Sequence, residues 1–353
     1  MFNPTTARLP QGSTIYITGV TGYIGAWITQ YALELGYNVR GAVRSLEKAA
    51  WLQEHFNSKF GPGRYTQVLL PDSSDLKAFK EGIKGVQGIA HVAVNTNRST
   101  EAEPYIPDMV NETINILKAA QAEASVKAVV FTSTALASSA WGEKGHFKEW
   151  QYNEDFIKYA YDPNFQHPSK GFIVYGAAKA MSEKAAWKYM QDEKPHFTFN
   201  TILPNANFGP SLVYEKQGHA STGGFPKAVF DGDEAIVKGV VPMYHIDVRD
   251  DARLHVAALV YPQTAGRRLW GYGEPFHWNI VLGIFRKLWP QRKFLDDVPG
   301  LELDDSVPPT EGALKALKNV FDQDGWTSLE NSLKDAGLDR EPPAGSQKID
   351  IFN

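Results

Sequence analysis

The stretch that most constrains this chain is TIYITGVTGYIG, Thr14 to Gly25. A short apolar run passes directly into glycines at 19, 22 and 25, and then into a segment with Ile28, Tyr31, Ala32 and Leu35 on one stripe, stopped by Gly36. Strand, glycine turn and amphipathic helix in that order form a βα unit. The glycines allow close approach of backbone to a pyrophosphate, leave N–H groups free at the helix N-terminus and let the helix sit tightly on the sheet. Gly19, Thr21, Gly22, Tyr23, Ile24 and Gly25 are therefore candidate dinucleotide-binding residues.

The same alternation continues. TIYIT, NVRGAV, YTQVLL, GIAHVAV, KAVVFTS and FTFNTIL read as strands separated by helical patterns, which predicts an α/β fold of the Rossmann type with a doubly wound parallel sheet. The pattern spans Ser13 to about Leu203, so the expected division is a dinucleotide-binding domain over 1–203, with a substrate-side insertion at about 135–173, and a smaller substrate-binding region over 204–353. Beyond 203, prolines, glycines and tryptophans crowd LPNANFGP and GYGEPFHWN. A late helix is expected from a capping box of Thr327 with Glu330, followed by Leu329 and Leu333 and ended by Gly337. Asp247, Asp250 and Asp251 read as acidic residues at a helix entry.

Composition narrows the function classes. Lys plus Arg number 36 against 40 Asp plus Glu, with no basic block of the kind that follows nucleic acid. Cysteine is absent, which excludes disulfides, thiolate metal sites and cysteine nucleophiles. The nine histidines show no metal-ligand spacing, and His91 lies in an apolar strand pattern, so no metal is expected. The first residues lack the apolar run of a secretory signal, and no stretch approaches the ~18 apolar residues that span a bilayer. The expectation is a cytoplasmic protein, monomeric or homodimeric, acting on a small molecule away from membranes and nucleic acid.

Cofactor choice is read about twenty residues past the last glycine, where Asp or Glu favours NAD and Arg favours NADP. The chain has AVRS there, so Arg44, with Lys48 a turn later, favours NADP(H). Asp72, after the third strand, is a candidate for the adenine edge. VYGAAK then acquires a meaning: Tyr175 and Lys179 lie four apart on a helix and share a face. Near a dinucleotide, Lys179 can bond ribose hydroxyls while its charge favours the phenolate of Tyr175, lowering a pKa that begins near ~10. Ser133 or Thr134, at a strand end, would hold a substrate oxygen while Tyr175 delivers a proton.

TGVTGYIG, AVRS, HVA, VVFTST, YGAAK and LPNANFGP occur in the order and spacing of extended short-chain dehydrogenases/reductases. The chain resembles the branch of dihydroflavonol reductases and fungal NADPH-dependent carbonyl (aldehyde) reductases, with AAWKYM, KPHFTFNTILPN and FRKLWP similar to the fungal enzymes in particular. The resemblance implies a catalytic Tyr175 and Lys179, a cofactor contact at Ala93, and a nicotinamide segment at Pro204, Asn205 and Asn207. It also favours Thr134 over Ser133, because the family's second serine of Thr-Ser-Ser falls on Thr134. The implied activity is stereoselective reduction of an aldehyde or ketone. Val94, Asn95, Trp141, Phe208 and Phe225 are candidates for the substrate pocket wall. The rival readings are an epimerase or dehydratase acting on a nucleotide sugar, and a non-catalytic NADP-binding protein.

Overall fold

In β1 (Thr14–Thr18), Ile15 and Ile17 enter one hydrophobic core and Tyr16 the opposite one. Burial on both faces is what a parallel sheet between helix layers requires. The chain is described by a computed structural model over residues 4–94, 99–341 and 343. The further strands are β2 (Asn38–Val43), β3 (Tyr65–Leu69), β4 (Gly88–His91), β5 (Ala128–Thr132), β6 (Thr198–Pro204), β7 (Ala206–Phe208), β8 (Met243–Asp247), β9 (Arg268–Gly271) and β10 (Pro275–Phe276). The helices are α1 (Tyr23–Glu34), α2 (Leu46–Phe60), α3 (Leu76–Gly82), α4 (Tyr105–Ala122), α5 (Glu154–Tyr161), α6 (Lys170–Glu193), α7 (Tyr214–Gln217), α8 (Gly224–Phe230), α9 (Glu234–Gly239), α10 (Val248–Val260), α11 (Trp278–Leu288), α12 (Glu311–Phe321) and α13 (Leu329–Asp335).

The main sheet is parallel with strand order β3-β2-β1-β4-β5-β6-β9. One face carries α1, α2, α10 and α12 and the other α3, α4 and α6, each over its own apolar core. The order reverses between β1 and β4, and a crevice at such a switch point, beyond the carboxyl ends of the strands, is where this architecture binds ligands. A further core gathers Phe208, Phe225, Phe230, Phe276 and Phe285 from β7, β10, α8 and α11, beside the small sheet β10-β8-β7.

Several expectations need correction. The division at 203 does not coincide with the edge of the sheet: β9 returns from the C-terminal half to pair with β6, and α10 and α12 cover that same sheet. The last helix is capped by Ser328, which accepts from Asn331 N, because Thr327 is drawn to Asp250, donating from both N and Oγ1. The acidic helix entry is as expected, with Asp247 capping α10 and Asp250 and Asp251 in its first turn, where both are buried. The fourth strand stops at His91 because Thr18 Oγ1 accepts from Val92 N and Ala93 N, turning the chain toward the glycine loop. No helix among the described residues is long and apolar enough to cross a membrane.

Candidate active site

The glycine turn is built around contacts that a side chain would prevent. Gly19 has φ +71°, and a Cβ there would lie 3.0 Å from Ala93 N. A Cβ on Gly25 would lie 2.2 Å from Gly19 O, so α1 can meet the turn this closely only through glycine. Gly22 caps α1 without any side-chain hydrogen bond and is exposed, leaving the first N–H groups of the helix for an anion. This cradle fits a dinucleotide pyrophosphate. Thr21 is exposed, and its carbonyl and that of Gly22 accept from Gln217 Nε2 at 3.2 and 3.0 Å. Tyr23 and Ile24 point elsewhere: the buried Tyr23 phenol donates to Gly209 O at 2.7 Å, with burial holding it protonated, and Ile24 packs on the core. Their contribution to a ligand is limited to backbone.

Arg44 follows β2 directly and is exposed, as is Lys48, while Ser45 caps α2 by accepting from Lys48 N. Two cations thus stand beside the turn at the adjacent strand end. Asp72 is exposed beyond β3, its Oδ1 accepting from both Ser74 N and Ser74 Oγ, which lowers its pKa.

Tyr175 and Lys179 lie on α6, whose start meets the carboxyl end of β5. Tyr175 is half-buried; Lys179 is buried, with Nζ donating to Thr132 O at 2.7 Å and standing 4.5 Å from the centre of the Phe131 ring. Burial lowers the Lys179 pKa to about 8, against the opposing pull of Glu112 and Glu183. Below Lys179, His91 Nδ1 bonds Thr18 Oγ1 at 2.9 Å, and His91 Nε2 lies 3.7 Å from Glu112 Oε1. Burial, helped by Lys179, lowers the histidine to about 3, so the imidazole is neutral at pH 7 and its contact with Glu112 is not an ion pair. Burial also raises Glu112.

The two hydroxyls at the end of β5 separate by strand parity. Ser133 is buried and donates to Glu183 Oε2 at 2.8 Å, so its proton is already engaged. Thr134 lies past the strand, half-buried, and caps a short 3₁₀ turn over Ala135–Ala137 by accepting from Leu136 N at 3.4 Å.

At the end of β6, Pro204 closes the strand, Asn205 is half-buried with Oδ1 accepting from Ala206 N, and Asn207 is buried. Asn207 Oδ1 has no hydrogen-bond partner among the described residues, an open acceptor suited to a carboxamide. Phe208 and Phe225, expected at the pocket wall, sit in a hydrophobic core at 0% and 6% exposure. Val94 and Trp141 are half-buried in a cluster with Ile173 and Val174 of α6. Trp141 meets Phe156 at 5.1 Å and Phe172, one turn before Tyr175, at 6.4 Å. Asn95 lies outside the described residues. No group of three or more metal-ligating side chains occurs among the described residues.

Sequence reasoning missed Glu112 and Glu183, the two carboxylates facing Lys179. Glu183 carried a signal, since Tyr175, Lys179 and Glu183 repeat every four residues. Glu112 had none, because α4 reaches the site only through packing.

Comparison with known proteins identifies the family. The NAD dependent epimerase/dehydratase family matches residues 15–273. Aldehyde reductase 2 of Sporidiobolus salmonicolor is 37% identical over 333 residues, covering 93% of this chain and 96% of that protein. Ketoreductase adrE of Penicillium rubens is 35% identical over 342 residues, covering 94% and 98%. Among solved structures, yeast methylglyoxal/isovaleraldehyde reductase Gre2 complexed with NADPH superposes with TM-score 0.76 at 24% identity, covering 91% of this chain and 96% of that one.

Proposed function

The chain belongs to the NAD dependent epimerase/dehydratase family, and from that premise we propose that it reduces an aldehyde or ketone to an alcohol, stereoselectively, at the expense of NADPH. The observation that carries this reading is the buried Lys179 ammonium fixed to Thr132 O at 2.7 Å, one helical turn from Tyr175 and two residues before Thr134. The names of the aldehyde reductase and ketoreductase relatives support the same reaction class.

In this mechanism the cofactor, when bound, supplies the hydride. Gly19, Gly22 and Gly25 would hold its pyrophosphate, Arg44 and Lys48 its 2′-phosphate, Asp72 its adenine edge, and Ala93, Pro204, Asn205 and Asn207 its nicotinamide end. Thr134 donates to the carbonyl oxygen of the substrate and fixes its orientation. Tyr175 gives its phenolic proton to that oxygen as negative charge develops there. Lys179 bonds the ribose hydroxyls and, as a cation in a desolvated site, lowers the cost of the tyrosinate left behind. Trp141 and Val94 wall the side from which the carbonyl enters.

The test is a panel of aldehydes, β-keto esters and aryl ketones assayed by NADPH loss, with chiral analysis of the alcohol. One NADPH is expected to disappear per alcohol formed, and Tyr175→Phe is expected to abolish reduction while still binding NADPH. Full activity of that variant would remove the proton donor from the scheme. Turnover of a nucleotide sugar without net NADPH loss would instead favour the epimerase reading.

A further inference from the structure

The layer beneath the site holds a second constellation, drawn from distant parts of the chain. Glu183 of α6 faces Arg268 of β9, and both side chains are 0% exposed. Arg268 Nε donates to Glu183 Oε1 at 2.6 Å and Nη2 to Oε2 at 3.2 Å. Glu183 also accepts from Thr201 Oγ1 at 2.6 Å, Ser133 Oγ at 2.8 Å and Trp187 Nε1 at 3.4 Å. The third guanidinium nitrogen, Nη1, donates to the carbonyls of Glu149 at 2.5 Å and Gln151 at 2.7 Å, and the Tyr152 ring lies 4.3 Å from the guanidinium carbon.

Stability alone does not account for such a pair. Desolvating two charges offsets most of their attraction, and well-packed apolar residues of the same size often serve as well. What the pair has that an apolar pair lacks is direction. The planar fork of arginine engages a carboxylate with one edge and two main-chain carbonyls with the other, which a lysine cannot reproduce. Those carbonyls belong to the insertion, and its next residues carry the constraint onward. Asn153 Nδ2 donates to Leu136 O at 3.0 Å and Ser139 O at 2.8 Å, and Asn153 N donates to Ala137 O. Leu136 and Ala137 follow Thr134, and Trp141 follows Ser139.

We propose that Arg268 and Glu183 are positioning residues for the reduction. The guanidinium holds the insertion through Glu149 and Gln151, and the carboxylate holds the end of β5 through Ser133. Thr134 and Trp141 are thereby kept in register with Tyr175 and Lys179 on the helix that also bears Glu183. Neither residue touches the reacting atoms. The kinetic side of the proposal rests on the reductase reading above; the clamp on the insertion does not.

The test compares Arg268→Met, Arg268→Lys and the neutral pair Glu183→Gln/Arg268→Met, the last of which leaves no unpaired buried charge and so keeps a folded protein in hand. Three quantities are read with NADPH and an aryl ketone: kcat and KM for the ketone, Kd for NADPH by fluorescence, and hydrogen exchange over 136–153 and 175–190. For Arg268→Met and the neutral pair, kcat/KM is expected to fall about a hundredfold, divided between kcat and KM, as displacing groups by about 1 Å does. For Arg268→Met, NADPH affinity should stay within about twofold of wild type, because Glu183, which faces Lys179, is retained and the glycine turn lies at another part of the sheet. Exchange should accelerate over 136–153 and remain unchanged over 175–190, with Arg268→Lys intermediate. If the neutral pair recovers wild-type kcat/KM, or if exchange over 136–153 does not change, the two charges merely neutralise each other and the proposal is overturned. Parallel loss of NADPH affinity in Arg268→Met would also overturn it, as a general structural defect. A wild-type protein that reduces no ketone would refute the reductase reading, and the exchange measurement would then decide the clamp alone.

Discussion

Gly25→Ala adds one methyl group at the point where helix, turn and sheet meet. Its Cβ would lie 2.2 Å from Gly19 O, 2.8 Å from Gly19 C and 3.1 Å from Val20 Cα. All three are backbone atoms, so no side-chain rotation relieves the clash, and reaching a contact of ~3.5 Å requires the start of α1 to move by roughly 1 Å. That displacement strains a well-packed core, at a cost of ~1–3 kcal/mol, and loosens the Gly22 N to Gly19 O bond of 3.0 Å, worth ~1 kcal/mol more. It also moves the N–H groups offered to the pyrophosphate; each such bond to a charged group is worth ~1.5–3 kcal/mol, so NADPH affinity should fall tenfold or more. Urea unfolding and NADPH fluorescence titration measure both effects. Gly283→Ala is the control. Gly283 is exposed within α11 and nothing lies within 4 Å of its added Cβ, so the same substitution should stabilise by ~1 kcal/mol through helix propensity. An unchanged midpoint and NADPH affinity for Gly25→Ala, or equal losses for both variants, would refute the argument from backbone contact.

The remaining predictions concern the chemistry. Because burial brings the Lys179 pKa to about 8, its charge is present below that pH and lost above it, so kcat/KM should decline with an alkaline limb near 8; a profile flat to pH 10 would contradict the role. Thr134→Ala should lower kcat by ~10²-fold through loss of a donor to the developing oxyanion. Ser133→Ala should lower kcat far less than Thr134→Ala does and lower stability by ~1–2 kcal/mol, since it removes one of the several bonds that tie Glu183 to its neighbours; the opposite ranking would restore Ser133. Arg44→Ala should weaken NADPH by ~10–100-fold and leave NADH unaffected, as removal of a guanidinium–phosphate pair implies, and equal effects on the two cofactors would exclude a 2′-phosphate contact.

Features governed by neighbours in the chain were legible without coordinates. The βα alternation, the glycine turn and the Tyr175–Lys179 spacing each follow from periodicity or backbone freedom over a dozen residues or fewer, and such patterns survive in any sequence that must bury two faces of a sheet. The preference for Thr134 came from the resemblance, which sets the family's second serine of Thr-Ser-Ser on that position.

Long-range packing decided the rest. Ser133 and Thr134 are chemically alike, and what separates them is Glu183, fifty residues beyond Ser133, together with Arg268, a further 85 along the chain. Phe208 reads as a pocket residue beside Asn207 until Phe276 closes over it. The return of β9 to the sheet, which delivers Arg268, leaves no local mark, because strand pairing is a property of two segments and not of either one. A sequence specifies the order and period of its elements through short-range sterics and hydrophobic patterning; which side chains share a buried layer is decided only when the elements are packed, and in this protein that layer supports the site.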